Sequence, residues 1–259
     1  MISLKTKKEI EIMAEGGKVL AQIMEKLKKK VKPGTKTKDL EKIAREEIKK
    51  VGAKCSFLGY KVSKKEKPYP ACLCTSINEE LVHVPPSNRI LKGGDIISLD
   101  IGLFWKGYHL DMAKTFPVGK ISFEAQRLIR VTKKALKLAI KKAKPGNTFG
   151  DIGNTIQRYV ESQGFNVIRD LCGHGIGKNL HEEPKILNYG KRHTGEKIKE
   201  GMVFCIEPMV SIGDWHLTKT KDGFGYKTKD NSLCAHFEHT VAITKNGTVV
   251  LTRLREEIK

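Results

Sequence analysis

The sequence comprises 259 residues, 39% of them hydrophobic, with 49 lysines and arginines against 29 acids, a net charge of +20. Folding at this length buries roughly 70–75% of the unfolded surface, so a core forms without staples, and the hydrophobic content excludes a disordered chain. No apolar run approaches about 18 residues, which excludes a transmembrane helix, and the first eight residues, Met1 to Lys8, lack the apolar region of a secretory signal; the expected compartment is the cytoplasm.

Thr6-Lys-Lys-Glu9 is a capping box that opens a helix with an apolar stripe of Ile10, Met13, Val19, Leu20, Ile23, Met24 and Leu27. Lys32-Pro33-Gly34 ends it. A second helix is predicted from Thr37 to Gly52, a C′ glycine. This pattern returns 112 positions later: Lys144-Pro145-Gly146, Asp151-Ile152 and Gly164 match Lys32-Pro33-Gly34, Asp39-Leu40 and Gly52. Lysine-rich amphipathic helices, near 7–30 and 122–143, precede both turns. The shared offset argues for an internal duplication in a single domain spanning 1–259, with halves of about 7–118 and 119–259.

Strands are predicted over Ile96–Phe104, His109–Phe116, Gly201–Glu207, Leu233–Thr244 and Thr248–Leu254, the last two joined by an Asn246-Gly247 turn. Helix pairs alternating with antiparallel hairpins indicate an α+β fold. Lys61–Lys67 and Gly213–Asp230 read as exposed loops. The six cysteines form no C-x-x-C pair and are expected as reduced thiols; Cys205, within an apolar run, reads as a small hydrophobe.

Asp100 and Asp111 are acids inside apolar strands, where aspartate is depleted and costly to bury unpaired. A turn centred on Trp105-Lys106 sets them directly opposite each other. One centred on Lys106-Gly107 makes them diagonal but leaves both on one face, about 4.5–8 Å apart in either case. Two anions so close need a cation or a shared proton. Glu207 closes a third strand and Glu238 interrupts a fourth, while His174 sits between glycines in Gly173-His-Gly-Ile-Gly177, where the backbone can approach a ligand closely. Four carboxylates and one imidazole balance two divalent cations and leave room for a hydroxide. Oxygen-rich ligation suits Mn, Fe or Co, with Zn possible. No phosphate-binding glycine motif follows a strand, which argues against a nucleotide cofactor.

These segments, Asp100-Ile-Gly, Gly107-Tyr-His-Leu-Asp111, Cys172-Gly-His174-Gly, His181-Glu-Glu-Pro184, Ile206-Glu207-Pro-Met and Phe237-Glu238-His-Thr, resemble the type I methionine aminopeptidases over nearly the whole chain. The resemblance implies the pseudo-twofold pita-bread fold, with a curved antiparallel sheet flanked by helices. It implies removal of N-terminal methionine from nascent polypeptides when the second residue is small, by a hydroxide bridging two divalent ions (Co, Mn, Fe or Zn). Asp111 and Glu238 would bridge the metals, Asp100 would complete one site, and His174 with Glu207 the other. Glu207 would also shuttle a proton, His181 would stabilise the oxyanion, and His83 would sit near the leaving group. Prolidases and aminopeptidase P share the five ligand types but usually carry a further N-terminal domain. The separation of 33 positions from His174 to Glu207 leaves no room for a type II insertion.

By the same resemblance Tyr60, Tyr69 and Cys74 line the methionine pocket. The chain departs from the family there: Val62–Lys67 is inserted, Leu180 replaces an aromatic, and Phe224 stands where a tryptophan is usual, with Trp215 displaced upstream. His193 and His239 are not expected as ligands. A monomer is implied, without membrane contact. Two readings compete with the peptidase: a proline-directed enzyme on the same fold, and a ribosome- or RNA-associated relative without metals. All five ligand types are present, which disfavours the second. The +20 charge is either a solvated surface or a face for transient ribosome contact through Lys28–Lys30, Lys61–Lys67 and Lys141-Lys142; no RNA-binding aromatic motif accompanies it.

Overall fold

The computed structural model describes residues 2–61, 63 and 66–254; Val62, Lys64 and Lys65 of the inserted segment lie outside them. In chain order the elements are α1 (Lys7–Lys28), α2 (Thr37–Lys50), β1 (Lys54–Cys55), β2 (Leu73–Ile77), β3 (Glu80–Val82), β4 (Ile96–Trp105), β5 (Tyr108–Pro117), α3 (Phe123–Lys142) and α4 (Phe149–Ser162). The C-terminal part continues with β6 (Asn166–Val167), β7 (Gly173–Gly175), β8 (Glu182–Ile186), β9 (Val203–Ile206), β10 (Met209–Ser211), β11 (Leu217–Lys219), β12 (Tyr226–Thr228), β13 (Cys234–His236), β14 (Glu238–Thr244) and β15 (Gly247–Val250).

The predicted helices form as read. Thr6 and Glu9 close the capping box of α1, and Thr148 with Asp151 closes one on α4. Positions related by the repeat share backbone geometry: φ is 89° at Gly34 and 88° at Gly146, 74° at Gly52 and 77° at Gly164. All four glycines occupy the left-handed region that other residues disfavour.

The main sheet is antiparallel, in the order β1-β4-β5-β14-β9-β7-β8, with β2 also on β4 and β15 also on β14. One apolar core joins α1 and α2 to it through Met13, Leu20, Met24 and Leu40 against Leu99, Ile101, Leu110 and Met112. A second joins α3 and α4 through Leu128, Leu136, Ile152 and Ile156 against Phe204, Ile206, Val241 and Ile243. Side chains alternate along a strand. With Leu99, Ile101, Leu110 and Met112 turned towards α1 and α2, Asp100 and Asp111 are turned to the opposite face.

Three local expectations are corrected. Leu233–Thr244 is not one strand: Phe237 breaks it and donates its N–H to the Pro208 carbonyl at 3.3 Å. Before the break β13 pairs with β10, and after it β14 pairs with β5, β9 and β15, so the chain changes sheets there. The stretch 213–230 is not a plain loop, since β11 and β12 form a hairpin that docks on β3.

The third correction concerns the thiols. Cys55 and Cys72 form a disulfide with Cα atoms 5.2 Å apart, leaving Cys74, Cys172, Cys205 and Cys234 free. β1 and β2 lie end to end along one edge of β4, with Cys55 opposite Leu103 and Leu73 opposite Ile101, which brings the two sulfurs together. Thiol titration of the denatured chain should give four reactive groups without reductant and six after reduction. Six in both conditions would refute the bond.

Candidate active site

The β4–β5 hairpin turns at Lys106-Gly107, where φ is 46° and 94°, the positive pair that a tight two-residue turn requires. Trp105 therefore faces Tyr108, Gly102 faces Asp111 and Asp100 faces Ala113, so the two aspartates are diagonal neighbours on one face. Ala113 is also opposite Glu238 on β14, and Asp100 opposite Cys74 on β2. One row across the sheet thus reads Cys74, Asp100, Ala113, Glu238, with the small alanine between two carboxylates. Thr240 Oγ1 pins this register by accepting the Asp111 N–H at 3.0 Å and donating to the Asp111 carbonyl at 2.8 Å.

Carboxylate oxygens of Asp100, Asp111 and Glu238 lie within 4.8 Å of one another, as do donor atoms of His174, Cys205 and Glu238. Glu207 follows β9 and faces two imidazoles: Oε1 is 3.7 Å from His174 Nε2, and Oε2 is 3.5 Å from His236 Nε2. Asp100 Oδ1, Asp111 Oδ1 and Glu238 Oε1 are buried without hydrogen-bond partners. Such orphaned carboxyl oxygens are costly to bury and fit divalent cations. Burial first, and then mutual repulsion, drive the Asp111 and Glu238 carboxyls well above the ordinary range; burial does the same to Glu207.

His174 and His181 are held in opposite senses. His174 Nδ1 lies 2.9 Å from the Gly175 carbonyl, which can only accept. Its proton is thus on Nδ1, and Nε2 offers a lone pair. His181 Nδ1 lies 2.5 Å from the Tyr60 hydroxyl; burial raises the Tyr60 pKa, so the phenol keeps its proton. Donation from that O–H leaves the His181 proton on Nε2. Burial lowers the pKa of His174 to about 3 and of His181 to about 4, so both rings are neutral near pH 7. The flanking glycines serve packing rather than ligand approach: a Cβ at Gly175 would lie 2.1 Å from the Glu183 carbonyl oxygen, and one at Gly173 2.4 Å from that of Cys205.

These groups line a cavity of about 900 Å³, together with His83, Tyr60, Tyr69, Cys74 and Phe224. The Cys55–Cys72 bond closes the loop that carries Tyr60 and Tyr69. Phe224 packs edge-on against Tyr69, ring centroids 5.7 Å apart, and is held by Asp222 Oδ1, which accepts the Phe224 and Gly225 N–H groups. Trp215 stands outside the cavity, stacked on His216. His193 is exposed beside Asp151, and His239 Nδ1 is 2.9 Å from Thr252 Oγ1. Sequence reasoning missed His236 and Phe57, both of which line the cavity. His236 lies two positions before Glu238, a spacing that shares a strand face, and that was the available signal.

A protonated cluster has a measurable consequence. Cations displace the protons that repulsion and burial keep on these carboxyls. Metal titrations in buffers of different ionisation enthalpy should therefore show proton release, with affinity rising as the pH is raised. Affinity that is independent of pH would contradict the cluster's electrostatics.

A pita-bread arrangement, with helix pairs covering a sheet whose other face gathers acids, defines a class of metallopeptidases. The model for metallopeptidase family M24 matches residues 11–245, and the chain belongs to that family. Methionine aminopeptidase 1 of Bacillus subtilis is 46% identical over 98% of this chain and all of its own. The Escherichia coli K12 methionine aminopeptidase is 42% identical over 99% and 96%. The crystal structure of methionine aminopeptidase from Thermotoga maritima, 44% identical, superposes with a TM-score of 0.94 over 98% of this chain and all of that one. Prolidase from Pyrococcus furiosus shares the fold at 25% identity and a TM-score of 0.75, with 66% of its chain covered. The three methionine aminopeptidases are each covered over 96% or more of their length.

Proposed function

We propose that this chain hydrolyses the bond after an N-terminal methionine when the second residue is small, acting on nascent polypeptides. One observation carries the reading: buried carboxylates, three of them with an oxygen that lacks a hydrogen-bond partner, converge with His174 on a cavity in a chain that matches methionine aminopeptidases end to end. Asp100, Asp111, His174, Glu207 and Glu238 would hold two divalent ions, Co, Mn, Fe or Zn, with Asp111 and Glu238 shared. Bound there, divalent ions would lower the pKa of water and polarise the scissile carbonyl. Glu207, between two imidazoles, would receive a proton at its carboxylate and pass it to the leaving amine. His181 Nε2–H would donate to the carbonyl oxygen as negative charge develops. His83 would lie beside the departing chain. Tyr60, Tyr69, Cys74 and Phe224 would enclose the methionine side chain.

We further infer one catalytic domain over 1–259 built of two repeated halves, working as a monomer. No helix among the described residues is long and apolar enough to cross a membrane. The cytoplasm is inferred from the substrate, against which the Cys55–Cys72 bond stands as a counter-indication, since such bonds are rare in reducing compartments. Exposed Lys28–Lys30 at the end of α1 suit transient contact with ribosomal phosphate.

The deciding experiment follows Met-Ala-Ser and an Xaa-Pro peptide with and without chelator, adding Co, Mn, Fe and Zn back singly. Cleavage of Met-Ala-Ser that chelation stops and a metal restores is the expected result. Cleavage of Xaa-Pro alone, or indifference to chelation, would overturn the reading.

A further inference from the structure

His236 is a buried polar side chain that the reading above does not use. It is 1% exposed, and neither ring nitrogen has a hydrogen-bond partner. Its backbone is held firmly: the N–H donates to Thr115 Oγ1 at 3.0 Å, and the carbonyl accepts from the same hydroxyl at 2.8 Å. Ser98 Oγ lies 2.8 Å from that hydroxyl and completes the clamp. The ring projects into the cavity wall, with Nε2 3.5 Å from Glu207 Oε2 and 4.0 Å from Glu238 Oε2. An imidazole always carries at least one ring N–H, and buried polar groups are normally satisfied. An unsatisfied imidazole facing two carboxylates therefore marks an interaction made in the loaded site.

We propose that His236 is a positioning residue whose Nε2–H donates to Glu207 Oε2, keeping Oε1 turned towards His174. The present gap is a few tenths of an ångström longer than a formed N–H···O bond, and rotation of the Glu207 side chain closes it. Groups that orient metal-binding carboxylates in this way typically govern affinity by about 10–100-fold. The inference rests on the metal reading of the preceding section.

The test compares wild type, His236→Gln, which keeps an N–H donor, and His236→Leu, which removes it and fills the space. Co(II) binding is followed by calorimetry and visible absorption, and the metal-free proteins are unfolded thermally. His236→Met replaces the leucine variant should that fail to fold. The leucine variant should unfold no lower than wild type when metal-free, since it loses an unsatisfied group, yet bind Co(II) about 10–100-fold more weakly at one site with an altered spectrum. Glutamine should restore affinity to within roughly threefold of wild type, as a second donor does. A leucine variant with wild-type affinity and spectrum would overturn the proposal alone. A glutamine variant as weak as leucine would overturn it in favour of direct ligation. A wild type that binds no Co(II) would overturn the metal reading and this inference together.

Discussion

Asp111→Ala should abolish peptide hydrolysis, with kcat/KM falling by about 10³-fold or more, the scale of losing several kcal/mol of metal-borne stabilisation. Asp111 is 4% exposed, and its Oδ1 has no partner. Its charge is opposed by burial, by Glu238 and by Asp100. Folding without metal therefore gains nothing from this carboxylate. Asp111→Asn should keep the shape, lose the activity and raise the metal-free unfolding temperature. Steady-state kinetics, metal content and thermal unfolding check all three. Near-wild-type turnover in either variant would refute the role of Asp111 in binding cations.

His181→Ala should lower kcat by about 10²–10³-fold with little change in KM, as expected when a donor acts on charge that develops only in the transition state. Tyr60→Phe should give a smaller loss, about 10-fold, because it frees the His181 tautomer without removing the ring. The two losses should not add in the double variant, since Tyr60 acts through His181. A rise in KM at constant kcat in His181→Ala would instead assign the residue to ground-state binding.

Several of these features are legible from local pattern alone. Period-two alternation puts Asp100 and Asp111 on one face of their hairpin, whichever residues form the turn. Glycine at 107 then favours the Lys106-Gly107 turn, but only the folded backbone, with positive φ at both positions, selects the diagonal register. Helix boundaries follow from caps and Lys-Pro-Gly turns because their determinants lie within a few residues. By contrast, the reading of 213–230 as loop failed because β11 and β12 are stabilised largely by docking on β3, well over a hundred residues earlier in the chain.

The sequence by itself determined the two helix pairs, the strands that bear acids, the five candidate ligands and the family to which they point. Each is encoded by capping, periodicity or a short motif. Tertiary structure alone decided which atoms meet. Ala113 has Asp100 on one side and Glu238 on the other because β5 lies between β4 and β14. Cys55 and Cys72 join because two short strands share one edge of β4. Glu207 stands between His174 and His236 because β9, β7 and β13 converge there. Pairings between distant strands depend on how both apolar faces are buried together, and no local stretch carries that information.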